Sequence, residues 1–299
     1  LKRKIYLNRK LISGIWGGGN RWLKAFITTA INYNYEIVNK IEDADFAFII
    51  GVDGFSTSEP DALTVARQAK KLNIPCLFRV NDCDLRKLTY HIDNLILETM
   101  KLVTHTVFVS KWLQDYFNQK QYKTSIIING VDKDIFFEKQ NQATFNAPVK
   151  FVTHHWSDNK LKGAALYEFL DCLTQDNQIE FTYIGRHKCK FKHNTKVIEP
   201  LDGLELANEL RKHDVYISGS QFDPGPNHII EAVSVGLPII VDKNGGGCNE
   251  FAESCIVLND FYDLINIIKN NNYPKSTYKF SDWDNCAIQY IQLFNHILI

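Results

Sequence analysis

The stretch D-P-G-P-N-H-I-I-E-A-V-S-V-G-L-P, residues 223–238, passes from turn formers to an apolar helical pattern and stops at Gly236 and Pro238. Asn227 is a suitable helix cap, so the helix begins near Asn227 or His228. DVYISGS (214–220) before it and LPIIVD (237–242) after it read as strands. Strand, loop, helix and strand in that order form the repeating unit of a parallel sheet. The first amides of such a helix, at Asn227, His228 and Ile229, have no partner inside it and suit an anion. Asp223 sits on the loop above them, and Glu231 follows one turn into the helix. A phosphate at the helix end with sugar hydroxyls on the carboxylates fits this spacing. So does a capped helix with an ordinary glutamate, and the spacing alone leaves both readings open.

The same alternation extends in both directions. In the first half, KLISGI (10–15), YEIVN (35–39), DFAFIIG (45–51), CLFRV (76–80), HTVFVS (105–110) and TSIIING (124–130) read as strands. Helices are expected from Asn20 or Arg21 to about Ile31, over 61–72, from Asp84 to Met100 and over 111–120. In the second half, VKFVTH (149–154), IEFTYIG (179–185) and CIVL (255–258) are further strands, with helices near 164–175, 204–212 and 260–269. A last amphipathic stretch runs from Asp282 to His296, with Trp283, Ile288, Tyr290, Ile291 and Phe294 at helical spacing. Between the halves, EKQNQATFNAP (138–148) is polar and marks a linker. The reading is an α/β protein of two doubly wound Rossmann-like domains, 1–140 and 148–299, facing a central cleft.

Composition excludes several classes. The 34 basic and 34 acidic residues cancel, which argues against a nucleic-acid partner. Lys2, Arg3, Lys4, Arg9 and Lys10 nonetheless form a basic N-terminus, read either as a solvated end or as a peripheral contact with an anionic membrane or phosphate-bearing substrate. Seven cysteines without a C-x-x-C pair argue against a disulfide scaffold and a structural zinc site. No stretch is apolar enough to span a bilayer and no secretory signal is apparent, so a cytoplasmic location is expected, with the membrane face as an alternative.

The acid, seven residues and glutamate of Asp223–Glu231, followed by EAVSVGLPIIV, resemble the signature of retaining glycosyltransferases of the group 4 type. FVSKWLQDYF (108–117), IINGVDKDIF (127–136), the Lys162-Gly163 pair and the last helix around Trp283 also have counterparts in that family. The resemblance covers most of the chain. It implies a GT-B fold whose first domain binds acceptor and whose second binds donor, with the final helix packing back on the first. It implies a UDP- or GDP-sugar donor, no metal and no other cofactor. The acceptor is a hydroxyl of a glycan, a lipid-linked sugar or a small glycoside.

Residue by residue, the resemblance gives Asp223 to the donor sugar, Glu231 to the ribose and Lys162 to the diphosphate. The arginine usual before that lysine is replaced here by His154, His155, Trp156 and Ser157, leaving Arg186 or Lys160 as substitutes. Gly18 and Gly19, after Gly17 and beside Asn20, lie in the loop that meets the donor phosphates, and Asn129 also faces the donor. Gly245–Gly247 and Glu250 stand in another donor loop. Asp82, with Arg79 and Asn81, follows the strand end that faces the acceptor, where Asp82 assists the nucleophile. Asp223, Lys162, Asp82 and Arg186 are thus the catalytic candidates. His154 and His155 are adjacent and point to opposite faces of a strand, with no third ligand to make a metal site. Two other functions remain in view: a nucleotide-sugar epimerase of the same shape, and a non-catalytic sugar-nucleotide-binding subunit.

Overall fold

The structure, a computed structural model, describes residues 2–12, 18–54, 59–138, 147–252 and 255–297. The chain separates into two compact units, Leu1–Gly130 with Ser281–Ile299, and Val131–Phe280. The polar stretch 138–148 falls mostly outside the described residues. The residues just before it ride with the second unit: the Arg211 guanidinium donates to the carbonyls of Ile135 and Phe137, and Lys275 pairs with Glu138.

The first unit holds a parallel sheet of β1 (Arg3–Leu7), β2 (Tyr35–Val38), β3 (Phe46–Ile49), β4 (Cys76–Val80), β5 (His105–Phe108) and β6 (Thr124–Ile126), in the order β2-β1-β3-β4-β5-β6. Its helices are α1 (Gly18–Asn32), α2 (Ala62–Leu72), α3 (Asp84–Lys87), α4 (Ile92–Met100) and α5 (Lys111–Phe117). The sheet is covered on both faces, which is why β3 is apolar at every position. Ala47 and Ile49 pack among α2, α4 and α5, whereas Phe46 and Phe48 pack against α1 and the last helix of the chain.

Two expectations are corrected in this unit. The first strand is RKIYL, not KLISGI. Ile5 and Leu7 are buried, and the charges of Arg3 and Lys4 had masked a strand; residues 13–17 lie outside the described part. The segment 84–100 is two helices. Leu88 is in the left-handed region at φ 56°, and the Asp84 carboxylate accepts from the Thr89 hydroxyl and from the amides of Ile92 and Asp93, starting a new helix. At Gly130 the chain passes close to the start of the last helix: a Cβ there would lie 2.6 Å from the Asp282 carbonyl oxygen.

The second unit repeats the plan with β7 (Val149–His155), β8 (Ile179–Gly185), β9 (Lys196–Ile198), β10 (Val215–Ser218), β11 (Ile239–Asp242) and β12 (Ile256–Leu258), ordered β12-β11-β10-β7-β8-β9, all parallel. Helices α6 (Ala164–Leu173), α7 (Gly203–Leu210), α8 (Asn227–Ser234), α9 (Gly247–Glu250) and α10 (Phe261–Asn270) accompany it. The edge strand β9 is short and mostly solvated, so its apolar pattern is too weak to read in sequence. Asp171, buried at the end of α6, organises the loop before β9 by accepting from the amides of Lys192, His193 and Thr195 and the Thr195 hydroxyl. Burial pushes its pKa up, but those hydrogen bonds outweigh burial and hold it below the ordinary carboxylate value.

The last helix, α11 (Trp283–Ile297), belongs to the core of the first unit. The ring of Phe294 lies 5.2 Å from Phe46 and 5.3 Å from Phe48, and Tyr290 stands edge-on to Trp22. No helix among the described residues is long and apolar enough to cross a membrane.

Candidate functional site

The order of the second sheet reverses between β7 and β10: the chain leaves β7 toward β8 and leaves β10 toward β11. Ligands of open parallel sheets bind at such a reversal, beyond the carboxyl ends of the strands. The loops that follow β7 and β10 are locked to each other there. The Gln221 amide donates to the Leu161 carbonyl at 2.8 Å. Gly163 has φ 97°, and a Cβ on it would come within 2.4 Å of the Gly219 Cα, so this crossing admits glycine alone. The lock sets the Lys162 Nζ 2.8 Å from the Asp223 Oδ2, with both side chains largely buried.

The loop after β11 fixes Asp223 from the other side. The Asp223 amide donates to the Gly245 carbonyl at 3.1 Å, and the Gly247 amide donates to the Asp223 carbonyl at 2.8 Å. A Cβ on Gly246, at φ 67°, would press to 2.9 Å from the Asp223 nitrogen. Gly245–Gly247, read in sequence as a loop that meets the donor, thus form a brace for the acid.

Glu231 is 4% exposed, and its Oε2 lies 2.8 Å from the His154 Nε2 at the end of β7. The Tyr216 hydroxyl bridges the His154 backbone, accepting from its amide at 3.2 Å and donating to its carbonyl at 3.3 Å. His155 takes the other face of the strand, beside Thr153 and the Tyr167 hydroxyl. That hydroxyl also accepts from the Gly219 amide, and burial raises its pKa above the usual phenol value.

The other sequence candidates in this unit lie at or near the same strand ends. Asn227 is the first residue of α8, not its cap; Pro226 caps it, with no side-chain hydrogen bond. The Ile229 amide already donates to the Pro226 carbonyl, and the His228 side chain turns inward to the Ser218 hydroxyl at 2.9 Å. Arg186 is exposed, its guanidinium 4.4 Å over the Trp156 ring; no described hydrogen bond or ion pair joins it to Lys162 or Asp223. Lys160 is exposed in the turn before Lys162. A cavity of about 400 Å³ adjoins that turn, lined by Asn159, Lys160, Lys162, Tyr167, Tyr183 and His187 among others. Among the described residues no group of histidines, cysteines and carboxylates has the arrangement of a metal site.

The remaining candidates stand in the first unit. Asp82 follows β4 and pairs with Lys87 at 3.1 Å. Burial raises its pKa, opposed by Lys87. Arg79 turns into the core, 1% exposed, with its guanidinium 4.3 Å over Trp22 and its Nη2 donating to the Asn129 Oδ1 at 2.8 Å. Asn129 is therefore held by Arg79. Gly18 and Gly19 form the first turn of α1 rather than a loop, and Asn20 clasps both backbone groups of Ile12; Gly17 lies outside the described residues.

Sequence reasoning missed Asn8, whose buried side chain bonds the backbone of Ile50, Gly51 and Pro60 where the first sheet's order reverses. It also missed the partnership of His154 with Glu231. The double histidine at a strand end was visible, but its partner stands 77 positions away.

No protein-family model matches the sequence. No curated protein matches it either. Solved structures do. Sucrose-phosphate synthase from Thermosynechococcus elongatus aligns over 99% of both chains at 12% identity and a TM-score of 0.71. Anabaena Alr3699/HepE, solved in complex with UDP-glucose, aligns over 99% of this chain and 98% of its own at 14% identity and a TM-score of 0.66. WaaG, a glycosyltransferase involved in lipopolysaccharide biosynthesis, aligns over 97% and 95% at 11% identity and a TM-score of 0.61. At such identities the likeness speaks for architecture: the chain has the GT-B fold, built of two Rossmann-like domains with six-stranded parallel sheets.

Proposed function

We propose that this protein is a retaining, metal-independent glycosyltransferase of the group 4 type, moving a sugar from a UDP- or GDP-sugar to a hydroxyl of a glycan, lipid-linked sugar or small glycoside. The observation that carries the reading is the Lys162–Asp223 pair, fixed at the order reversal of the second sheet and accompanied there by buried Glu231. Sugar transfer needs a cation for the leaving diphosphate and acceptors for the donor's hydroxyls. Lys162 supplies the first, aided by Arg186 and the amides at the start of α8. Asp223 holds the sugar and Glu231 the ribose. Gly18, Gly19 and Asn129 serve the donor from the first domain, and Asp82 serves the acceptor hydroxyl. Its raised pKa favours proton exchange nearer neutrality than an ordinary carboxylate allows. The HepE complex with UDP-glucose, on the same fold, supports the class of donor.

In this reading Lys162 trades its contact with Asp223 for the diphosphate when donor enters, which frees the acid for the sugar. The reaction is cytoplasmic, and the basic residues at 2–10 give it a peripheral hold on an anionic membrane surface. The test is incubation with a panel of UDP- and GDP-sugars and acceptors, watching for nucleotide release. Release that depends on acceptor is the expected result, and product without acceptor would favour an epimerase. The second reading, a non-catalytic binder, draws on the histidines that stand where the family has its arginine. Donor binding without release over the whole panel would favour it.

A further inference from the structure

We infer that His154 is a positioning residue for Glu231: its imidazole fixes the carboxylate on which the donor's ribose is held. The inference rests on the donor reading of Glu231 and adds a residue to it. A carboxylate only accepts, so the 2.8 Å contact requires the hydrogen on the His154 Nε2. The ring cannot turn away easily. Its backbone is clasped by the Tyr216 hydroxyl on both sides, and the ring packs in T-shaped contacts with the rings of Tyr216 at 5.5 Å and His228 at 6.3 Å.

The fold itself gains little from an imidazole at this place. Among the described residues the His154 Nδ1 has no hydrogen-bond partner and is sealed from solvent. A buried polar atom without a partner costs stability, and an apolar side chain of similar size would pack here without that cost. What the imidazole does, and a leucine cannot, is donate to Glu231. The hydrogen bond from the His154 Nε2 is thus the contact by which the ring orients the Glu231 carboxylate.

The test measures binding of UDP-glucose and, in parallel, GDP-mannose, by calorimetry on the full chain. The set is wild type, H154L, H154Q, E231A and the double variant H154L/E231A, each with a thermal melt. H154L is expected to weaken donor binding by about ten- to a hundredfold, the range of a hydrogen bond to a charged group. H154Q, whose amide reaches the Nε2 position, recovers most of it. In the E231A background H154L costs nothing further, because the group it positions is gone. Should H154L not fold, H154N takes its place, since its amide is too short to reach Glu231. Unchanged affinity in H154L, or a loss that adds in full to that of E231A, would overturn the inference and leave the donor reading standing. If wild type binds neither sugar nucleotide nor any other of the panel, the donor reading falls and the inference with it.

Discussion

The carboxyl ends of the two sheets carry different kinds of polar surface. In the second unit, charged groups meet opposite charge or a hydrogen-bonding partner under cover: Lys162 with Asp223, Glu231 with His154. Glycines at 163, 219 and 246 bring three loops close enough to hold those pairs. In the first unit, the buried charge is Arg79, which faces the Trp22 ring and an asparagine rather than a carboxylate. The acid there, Asp82, shares a half-exposed lysine. Paired, braced side chains are poised for a ligand of fixed shape. An acid shared with an exposed lysine suits a partner that varies. Under the proposed function, the difference teaches that donor recognition is built into the fold of the second unit, whereas the acceptor side is looser.

The largest expected effect tests the braced end. Lys162→Met removes the cation proposed for the diphosphate and is expected to lower turnover by roughly 10²–10³-fold, as loss of one transition-state donor does. Steady-state kinetics with the best donor of the panel would measure it, and a change under about threefold would deny Lys162 that role. Gly163→Ala should act nearly as strongly without touching a charge, because its Cβ meets the Gly219 backbone. The loops would part and carry Lys162 away from Asp223. A variant with normal turnover and an unchanged melt would show that the lock is not needed.

Next comes the other end. Asp82→Asn should raise the acceptor KM and reduce turnover by about 10²-fold, the lower range for proton-transfer assistance, with donor affinity intact. Equal damage to donor binding would erase the distinction between the two ends. Phe294→Ala should destabilise the first unit by about 3–5 kcal/mol through a cavity among Phe26, Phe46 and Phe48. Two separate transitions in a calorimetric scan, with the first alone shifted, would sharpen the comparison.

The smallest effect is electrostatic. Asp171 is held below the ordinary carboxylate pKa by its hydrogen bonds despite burial, and Glu209 by Lys212 and Lys196 despite burial. A depressed folded pKa means stability that is fully present above the unfolded pKa, about 4, and is lost as pH falls through the lower folded value. Asp171→Asn is expected to cost about 1–3 kcal/mol at neutral pH. It should also flatten the fall in stability below pH 4, read from urea unfolding at a series of pH values. An acid limb identical to wild type would remove Asp171 as its source.

Much of the architecture was legible in the chain because buried parallel strands are near-continuous apolar runs: FAFI is apolar throughout, and CLFRV and IEFTYIG are mostly so. RKIYL was not legible, since two cations precede its apolar pair, and neither was β9, whose strand is mostly solvated. The candidate site was legible where it is local in sequence. Asp223 and the start of α8 follow from a turn that becomes a helix. The partners were not legible, because Lys162 meets Asp223 across 61 positions and His154 meets Glu231 across 77. Local pattern also misjudged direction: Arg79 looks like a strand-end charge but lies at an inward-facing position.

The central claim is that two acids eight positions apart do different work on one donor. It is tested most directly by measuring nucleotide-sugar affinity alongside turnover for Asp223→Asn and Glu231→Gln. The account predicts that Asp223→Asn keeps most of its affinity and loses turnover, since placement of the sugar in the transition state suffers. It predicts that Glu231→Gln loses affinity by about tenfold or more, through the ribose contact. Normal turnover in Asp223→Asn together with full-strength binding in Glu231→Gln would contradict it.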